Sequence, residues 1–165
     1  MIVVVMGVSG SGKTEIGTRL AERLGCEFIE GDDFHPPANV AKMAGGTPLT
    51  DADRLPWLQS LNAKLLENQR TVLACSALKE SYRQILAQGS SQCRFVHLRG
   101  SIELIRGRLT ERRHRFMPAS LLESQFATLE PPHGAIEIDI AQPPLRCVEA
   151  ILAALPASAV PPIQP

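Results

Sequence analysis

The chain is 165 residues long, the length of one domain, with 44% hydrophobic residues, 21% charged residues and a formal net charge of zero. That composition excludes global disorder, and seventeen basic residues against seventeen acidic ones exclude a protein that coats nucleic acid through a basic surplus. A chain of this size buries roughly 70% of its unfolded surface and needs no covalent staple.

The elements alternate in chain order between short β-branched runs and amphipathic helical stretches, the pattern of an α/β domain with a parallel sheet. Ile2 to Met6 is a continuous apolar run suited to a central strand buried on both faces. It is too short for a leader and runs straight into glycines, and no stretch reaches membrane-spanning length, so the expected setting is the cytoplasm. A helix follows over 13–24, with Ile16, Leu20 and Leu24 on one face and Gly25 as its stop. Residues 26–30 read as a second strand. A helix starting near Asp53, with Pro56 in its first turn, carries the stripe Trp57, Leu58, Leu61 and Leu65. Strands are predicted at 71–75, 94–98 and 135–140. Helices are marked by Tyr82, Ile85 and Leu86; by Ile102, Ile105 and Leu109; by Leu121, Leu122, Gln125 and Phe126 after Pro118; and by Val148, Ile151, Leu152 and Leu155. One domain is expected over 1–155, and the proline-rich stretch 156–165 reads as a frayed tail. Cys26, Cys75, Cys93 and Cys147 are scattered, without ligand spacing, and read as reduced core thiols.

Gly7, Val8, Ser9, Gly10, Ser11, Gly12, Lys13 and Thr14 match G-x-x-x-x-G-K-[ST], a P-loop placed between an apolar strand and an amphipathic helix. Glycines let consecutive backbone N–H groups converge on phosphates, and the helix N-terminus adds a favourable dipole. Lys13 supplies a point charge for the β- and γ-phosphates of ATP, and the Thr14 hydroxyl a ligand for Mg²⁺.

Two charged segments flank this loop. Acidic residues dominate 27–53, and Glu30-Gly31-Asp32-Asp33 falls at the carboxyl end of the second strand, where α/β sheets bind ligands. A carboxylate there either holds Mg²⁺ through water or draws the proton from a substrate hydroxyl; a solvated acidic turn is the plainer alternative. Asp53 reads equally well as a helix cap or a ligand. Six of the thirteen arginines lie at 99–115, with no lysine, and suit a helical lid at about 108–118 that brings arginines to the transferring phosphoryl group. Arg99 and Arg113 are the expected bystanders. No Asp closes the third strand, which leaves metal contact to Thr14 and to carboxylates of the second. Lys79 and Arg83, one helical turn apart, are placed to clamp an anionic substrate group or to lie as surface charges. His35, His97 and His133 show no partners at useful spacing.

GVSGSGKT at 7–14, GDDFHP at 31–36, KMAGGTPLTDADRLPWL at 42–58, CSALKESYR at 75–83 and FMPASLLESQFATLEPP at 116–132 together resemble the gluconokinases of the shikimate-kinase-like group, in order from residue 1 to about 155. The resemblance implies a P-loop NTPase fold with a five-stranded parallel sheet, flanking helices and a lid. It also implies ATP- and Mg²⁺-dependent phosphorylation of D-gluconate at its 6-hydroxyl by a cytoplasmic homodimer, without nucleic-acid or membrane partners. By position it makes Asp32 the substrate-side carboxylate, puts Arg54 and Lys79 near the sugar acid, Arg108 against adenine and Arg112 on a phosphate. The chain departs from the pattern at Glu30, where related kinases often have Asp, which bears on the Mg²⁺ water shell. It departs again at His114-Arg115, where many gluconokinases have Gly-His. The alternatives are a shikimate, nucleoside or nucleotide kinase on the same scaffold, and a nucleotide-dependent switch.

Overall fold

The computed structural model describes residues 1–68, 70–111 and 119–159. Five parallel strands, β1 (Ile2–Met6), β2 (Glu27–Glu30), β3 (Thr71–Ala74), β4 (Cys93–Arg99) and β5 (Ile136–Asp139), form one sheet in the order β2-β3-β1-β4-β5. The helices between them are α1 (Lys13–Leu24), α2 (Pro37–Ala44), α3 (Asp51–Glu67), α4 (Glu80–Ala87), α5 (Ile102–Glu111), α6 (Ala119–Thr128) and α7 (Pro144–Ala154). With β1 inside the sheet, every residue from Ile2 to Met6 is fully buried, and alternation divides them between two cores. Val3 and Val5 pack with Ile16, Leu20 and Leu24 of α1 and with Val148 and Ile151 of α7. Ile2, Val4 and Met6 pack on the other face with Trp57, Leu61 and Leu65 of α3 and with Tyr82 and Leu86 of α4. Among the described residues no helix is long and apolar enough to cross a membrane, and all four cysteines are free thiols.

Several local expectations change. Helix α3 starts at Asp51, because Thr50 is its N-cap: the Thr50 hydroxyl accepts from the Asp53 N–H at 3.1 Å and the Asp53 carboxylate accepts from the Thr50 N–H at 2.9 Å. Asp53 is therefore the reciprocal member of a capping box, and Lys42 covers its carboxylate at 2.8 Å. These contacts, Lys42 first, hold the carboxyl down at about 2. The earlier start also moves Pro56 from the first turn to the second. Helix α2 was not predicted, because Pro36-Pro37 reads as a turn; Pro37 instead occupies the first helical position, where a missing N–H costs nothing. The start of the tail is not frayed: Ala157–Ala159 form a short 3-10 turn, and Ala159 packs against the first core. Residues 160–165 lie outside the described part, as does Pro118 ahead of α6.

The register brings three strand ends together. Gly7 donates to the Ser76 carbonyl at 3.3 Å and Cys75 to the Val5 carbonyl at 3.1 Å. The loops after β1, β2 and β3 thus open on one crevice at the carboxyl edge of the sheet.

Candidate active site

The loop after β1 has the backbone of a phosphate cradle. Gly7, Gly10 and Gly12 have φ of 145°, 80° and 95°, a region that side chains rarely enter. A Cβ at Gly10 would lie 2.9 Å from Cγ of Leu109, and one at Gly7 3.0 Å from the Leu98 carbonyl oxygen. Inside the loop, the fully buried Ser11 hydroxyl has no hydrogen-bond partner among the described residues. Lys13 folds back so that Nζ donates to the Val8 carbonyl at 3.1 Å. Burial pushes its ammonium below the ordinary lysine value, while Asp32, Cys75 and Glu30 pull in the other direction.

The Thr14 hydroxyl donates to Glu30 Oε2 at 2.6 Å. A hydroxyl and a carboxylate side by side at a helix N-terminus are hard oxygen donors of the kind Mg²⁺ accepts when nucleotide phosphates and water complete its shell. No group of three or more His, Cys, Asp or Glu gathers among the described residues. The chain's own donors therefore fit a metal carried in with phosphates rather than one caged by protein.

Asp32 and Asp33 sit on a 3-10 turn (Gly31–Phe34) that continues β2. The turn is pinned from below by Trp57, fully buried, whose Nε1 donates to the Gly31 carbonyl at 2.8 Å. His35, which has no partner at useful spacing in the sequence, stacks on Trp57 at 4.0 Å between centroids and 17° between planes. Burial lowers its pKa, so the ring is neutral near pH 7. Nδ1 takes a hydrogen bond from Asn39 Nδ2 at 3.3 Å, which leaves the proton on Nε2, 3.8 Å from Asp32 Oδ1. Asp32 itself projects into the crevice, exposed. A Cβ at Gly31 would fall 2.5 Å from the Ala74 carbonyl oxygen, a backbone atom with nowhere to go. Gly31→Ala is therefore expected to destabilise the fold by about 1–3 kcal/mol and to lower kcat by displacing Asp32. Denaturant unfolding beside steady-state kinetics checks it, and wild-type values in both would contradict it.

At the N-cap of α4, Lys79 Nζ contacts both Asp51 oxygens at 2.8 and 3.1 Å, and the Tyr82 hydroxyl donates to the same carboxylate. The Lys79 contact, followed by Tyr82, holds the Asp51 carboxyl below its ordinary value. Arg54 lies over the Tyr82 ring at 5.6 Å, and its Nε is buried with no hydrogen-bond partner among the described residues. The clamp expected of Lys79 with Arg83 does not form. Arg83 is 3% exposed, donates to the Ala77 and Leu78 carbonyls at 2.9 and 3.3 Å, and binds Glu80 through Nε at 2.9 Å. Its guanidinium holds the loop in which Ala77 takes φ 44°, and so it shapes the crevice from beneath.

Arg108 donates to the Ile140 carbonyl and, with Gly12, Gln142 and Pro144, lines a cavity of 230 Å³ beside the helix end of the P-loop. A flat guanidinium is a group that can stack on a planar base. Arg99 pairs with Glu137 at 2.7 Å, and Arg106 with Glu123 at 3.2 Å. Arg112, expected on a phosphate, lies outside the described residues, as do Arg113, His114, Arg115, Phe116 and Met117.

A family model described as an AAA domain matches residues 2–132. A probable gluconokinase of Xenopus tropicalis is 47% identical over 163 residues, covering 84% of this chain and 86% of that one. The crystal structure of a gluconokinase from Sinorhizobium meliloti 1021 superposes with a TM-score of 0.86 at 46% identity, over 92% of this chain and 89% of the other. A shikimate kinase from Acinetobacter baumannii shares the fold alone, with a TM-score of 0.60 at 19% identity over 93% and 91% of the two chains.

Proposed function

Since the chain belongs to the gluconokinase family, we propose that it transfers the γ-phosphoryl group of ATP to the 6-hydroxyl of D-gluconate, giving 6-phospho-D-gluconate. What supports this reading is an exposed carboxylate on the β2 turn beside His35, a ring whose pKa is lowered by burial and further by the Arg54 charge, with Arg54 and Lys79 both lying over the Tyr82 ring. Gluconate is a polyol with one carboxylate, so it needs an acceptor for a hydroxyl at one end and cations for an acid group at the other.

The P-loop N–H groups and Lys13 bind and orient the phosphates, with the base in the Arg108–Pro144 cavity. Thr14 and Glu30 would hold Mg²⁺, which supplies charge neutralisation between the phosphates when bound. Asp32 accepts the proton of the attacking hydroxyl, and neutral His35 donates no charge that would compete for it. The Nε of Arg54, which has no partner among the described residues, and the ammonium of Lys79 receive the substrate carboxylate, and Asp51 holds that ammonium in place beforehand. Arg112 completes the phosphate contacts in this reading. The resemblance adds a homodimer in the cytoplasm.

The experiment is ADP release over a panel of gluconate, shikimate, adenosine and no acceptor. Turnover confined to gluconate is the expected result. Equal rates across the panel would favour a nucleotide-dependent switch, and turnover with shikimate or adenosine another kinase of the same scaffold.

A further inference from the structure

The P-loop is held from the front by a residue outside the P-loop motif itself. Gln125 of α6 accepts from the Ser9 N–H through Oε1 at 2.7 Å and donates to the Ser9 hydroxyl through Nε2 at 3.0 Å. The backbone donor fixes which end of the carboxamide faces it. Ser9 lies at the terminal-phosphate end of the cradle. The base cavity adjoins Gly12, at the helix end of the loop. At the other end the Lys13 ammonium, the group for the β- and γ-phosphates, rests on the Val8 carbonyl next to Ser9.

Helix α6 is well placed for this task. The residues after it are stitched to the loop that follows β3: Glu130 donates its N–H to the Leu78 carbonyl at 2.8 Å, and its carboxylate accepts from the Glu80 N–H at 2.7 Å. Beside Gln125, Ile105 and Leu109 of α5 press on Gly10, with a virtual Cβ only 2.9–3.1 Å from their carbons. One rigid element thus touches both the phosphate loop and the substrate-side loop.

We infer that Gln125 is a positioning residue for the γ-phosphoryl group, fixing Ser9 so that the front of the P-loop is already shaped for a triphosphate before one binds. This rests on the proposed function only in taking ATP as the phosphoryl donor. On this inference the terminal phosphate of ATP is the group that reaches Ser9, so losing the Gln125 contact weakens ATP more than ADP.

The test is equilibrium titration of the full chain with ATP and with ADP, each with Mg²⁺ and without acceptor, beside steady-state kinetics with gluconate. Gln125→Ala is expected to weaken ATP about tenfold and ADP less than about twofold, and to lower kcat with the gluconate KM unchanged. Gln125→Glu keeps an acceptor for the Ser9 N–H but sets a negative charge beside the terminal phosphate. It is expected to weaken ATP further than alanine does, with the thermal midpoint of both variants at the wild-type value. Equal losses for the two nucleotides in either variant, or tighter ATP binding by Gln125→Ala, would overturn the inference. Nucleotide binding is read without acceptor, so a wild-type chain inactive on gluconate would refute the functional reading and leave the ATP–ADP difference to decide on Gln125.

Discussion

Replacing Lys13 by alanine is expected to lower kcat by about a thousandfold or more, with the fold retained. The position begins α1, and alanine is the better helix former, so the helix is not at risk. What is lost is charge in a place built to keep it. The ammonium sits where burial disfavours it, and it is supported by Asp32 and Glu30 and by the Val8 carbonyl at 3.1 Å. A cation so placed is poorly hydrated before phosphate arrives, which makes its attraction for developing charge stronger than on a surface. Backbone N–H groups of the cradle remain in the variant, so nucleotide binding falls less than turnover. Steady-state kinetics with a thermal melt as control check the result; near-normal kcat in a folded variant would remove Lys13 from the chemistry.

Asp32→Asn is expected to cost about a hundredfold or more in kcat, with little change in the KM for gluconate. The asparagine keeps the size and the hydrogen-bonding capacity of the side chain, so binding of the substrate hydroxyl survives. It has no basic oxygen to take the proton. His35 offers no substitute: its imidazole is committed to Asn39 through Nδ1 and presents only its proton toward Asp32. An unchanged rate would show that the 6-hydroxyl is deprotonated by another group. A rise in KM equal to the fall in kcat/KM would make Asp32 a binding residue alone.

The parts of this site that depend on local backbone chemistry were legible in the sequence. A phosphate cradle needs glycines at fixed offsets between a strand and a helix, and Gly7, Gly10 and Gly12 take the positive φ that spacing implies. Burial of β1 on both faces was likewise written in five consecutive apolar residues. The parts that depend on distant partners were not legible. Lys79 and Arg83 are one turn apart on paper, yet Lys79 turns to Asp51, 28 residues away, while Arg83 turns inward to carbonyls of its own loop. The capping box moved the start of α3 two residues ahead of Asp53, because Thr50 is the cap and Asp53 its reciprocal partner at the third helical position. His35 gains its meaning from stacking on Trp57, a contact between two elements that no periodicity reports. Gln125 reaches Ser9 across 116 residues, and its place on a helix stripe suggested packing alone.

The net charge of zero conceals a division of labour among these groups. Acidic side chains between 27 and 53 serve two ends: Asp32 faces the crevice, while Asp51 and Asp53 are spent on neighbouring lysines. On the basic side, Arg99 and Arg106 pair with glutamates at the surface, whereas Arg54 keeps a buried Nε without a partner among the described residues. Buried donors left open in this way cost stability in the free protein and gain a partner when an anionic substrate binds.

Transfer of the terminal phosphoryl group of ATP to one hydroxyl of gluconate is read out by phosphorus–proton correlated NMR of the product. The expected product is a single phosphate monoester whose phosphorus couples to the two C6 methylene protons, formed in step with ADP. Phosphorus coupled to protons on any other carbon, or ADP appearing together with inorganic phosphate and no ester, would contradict it.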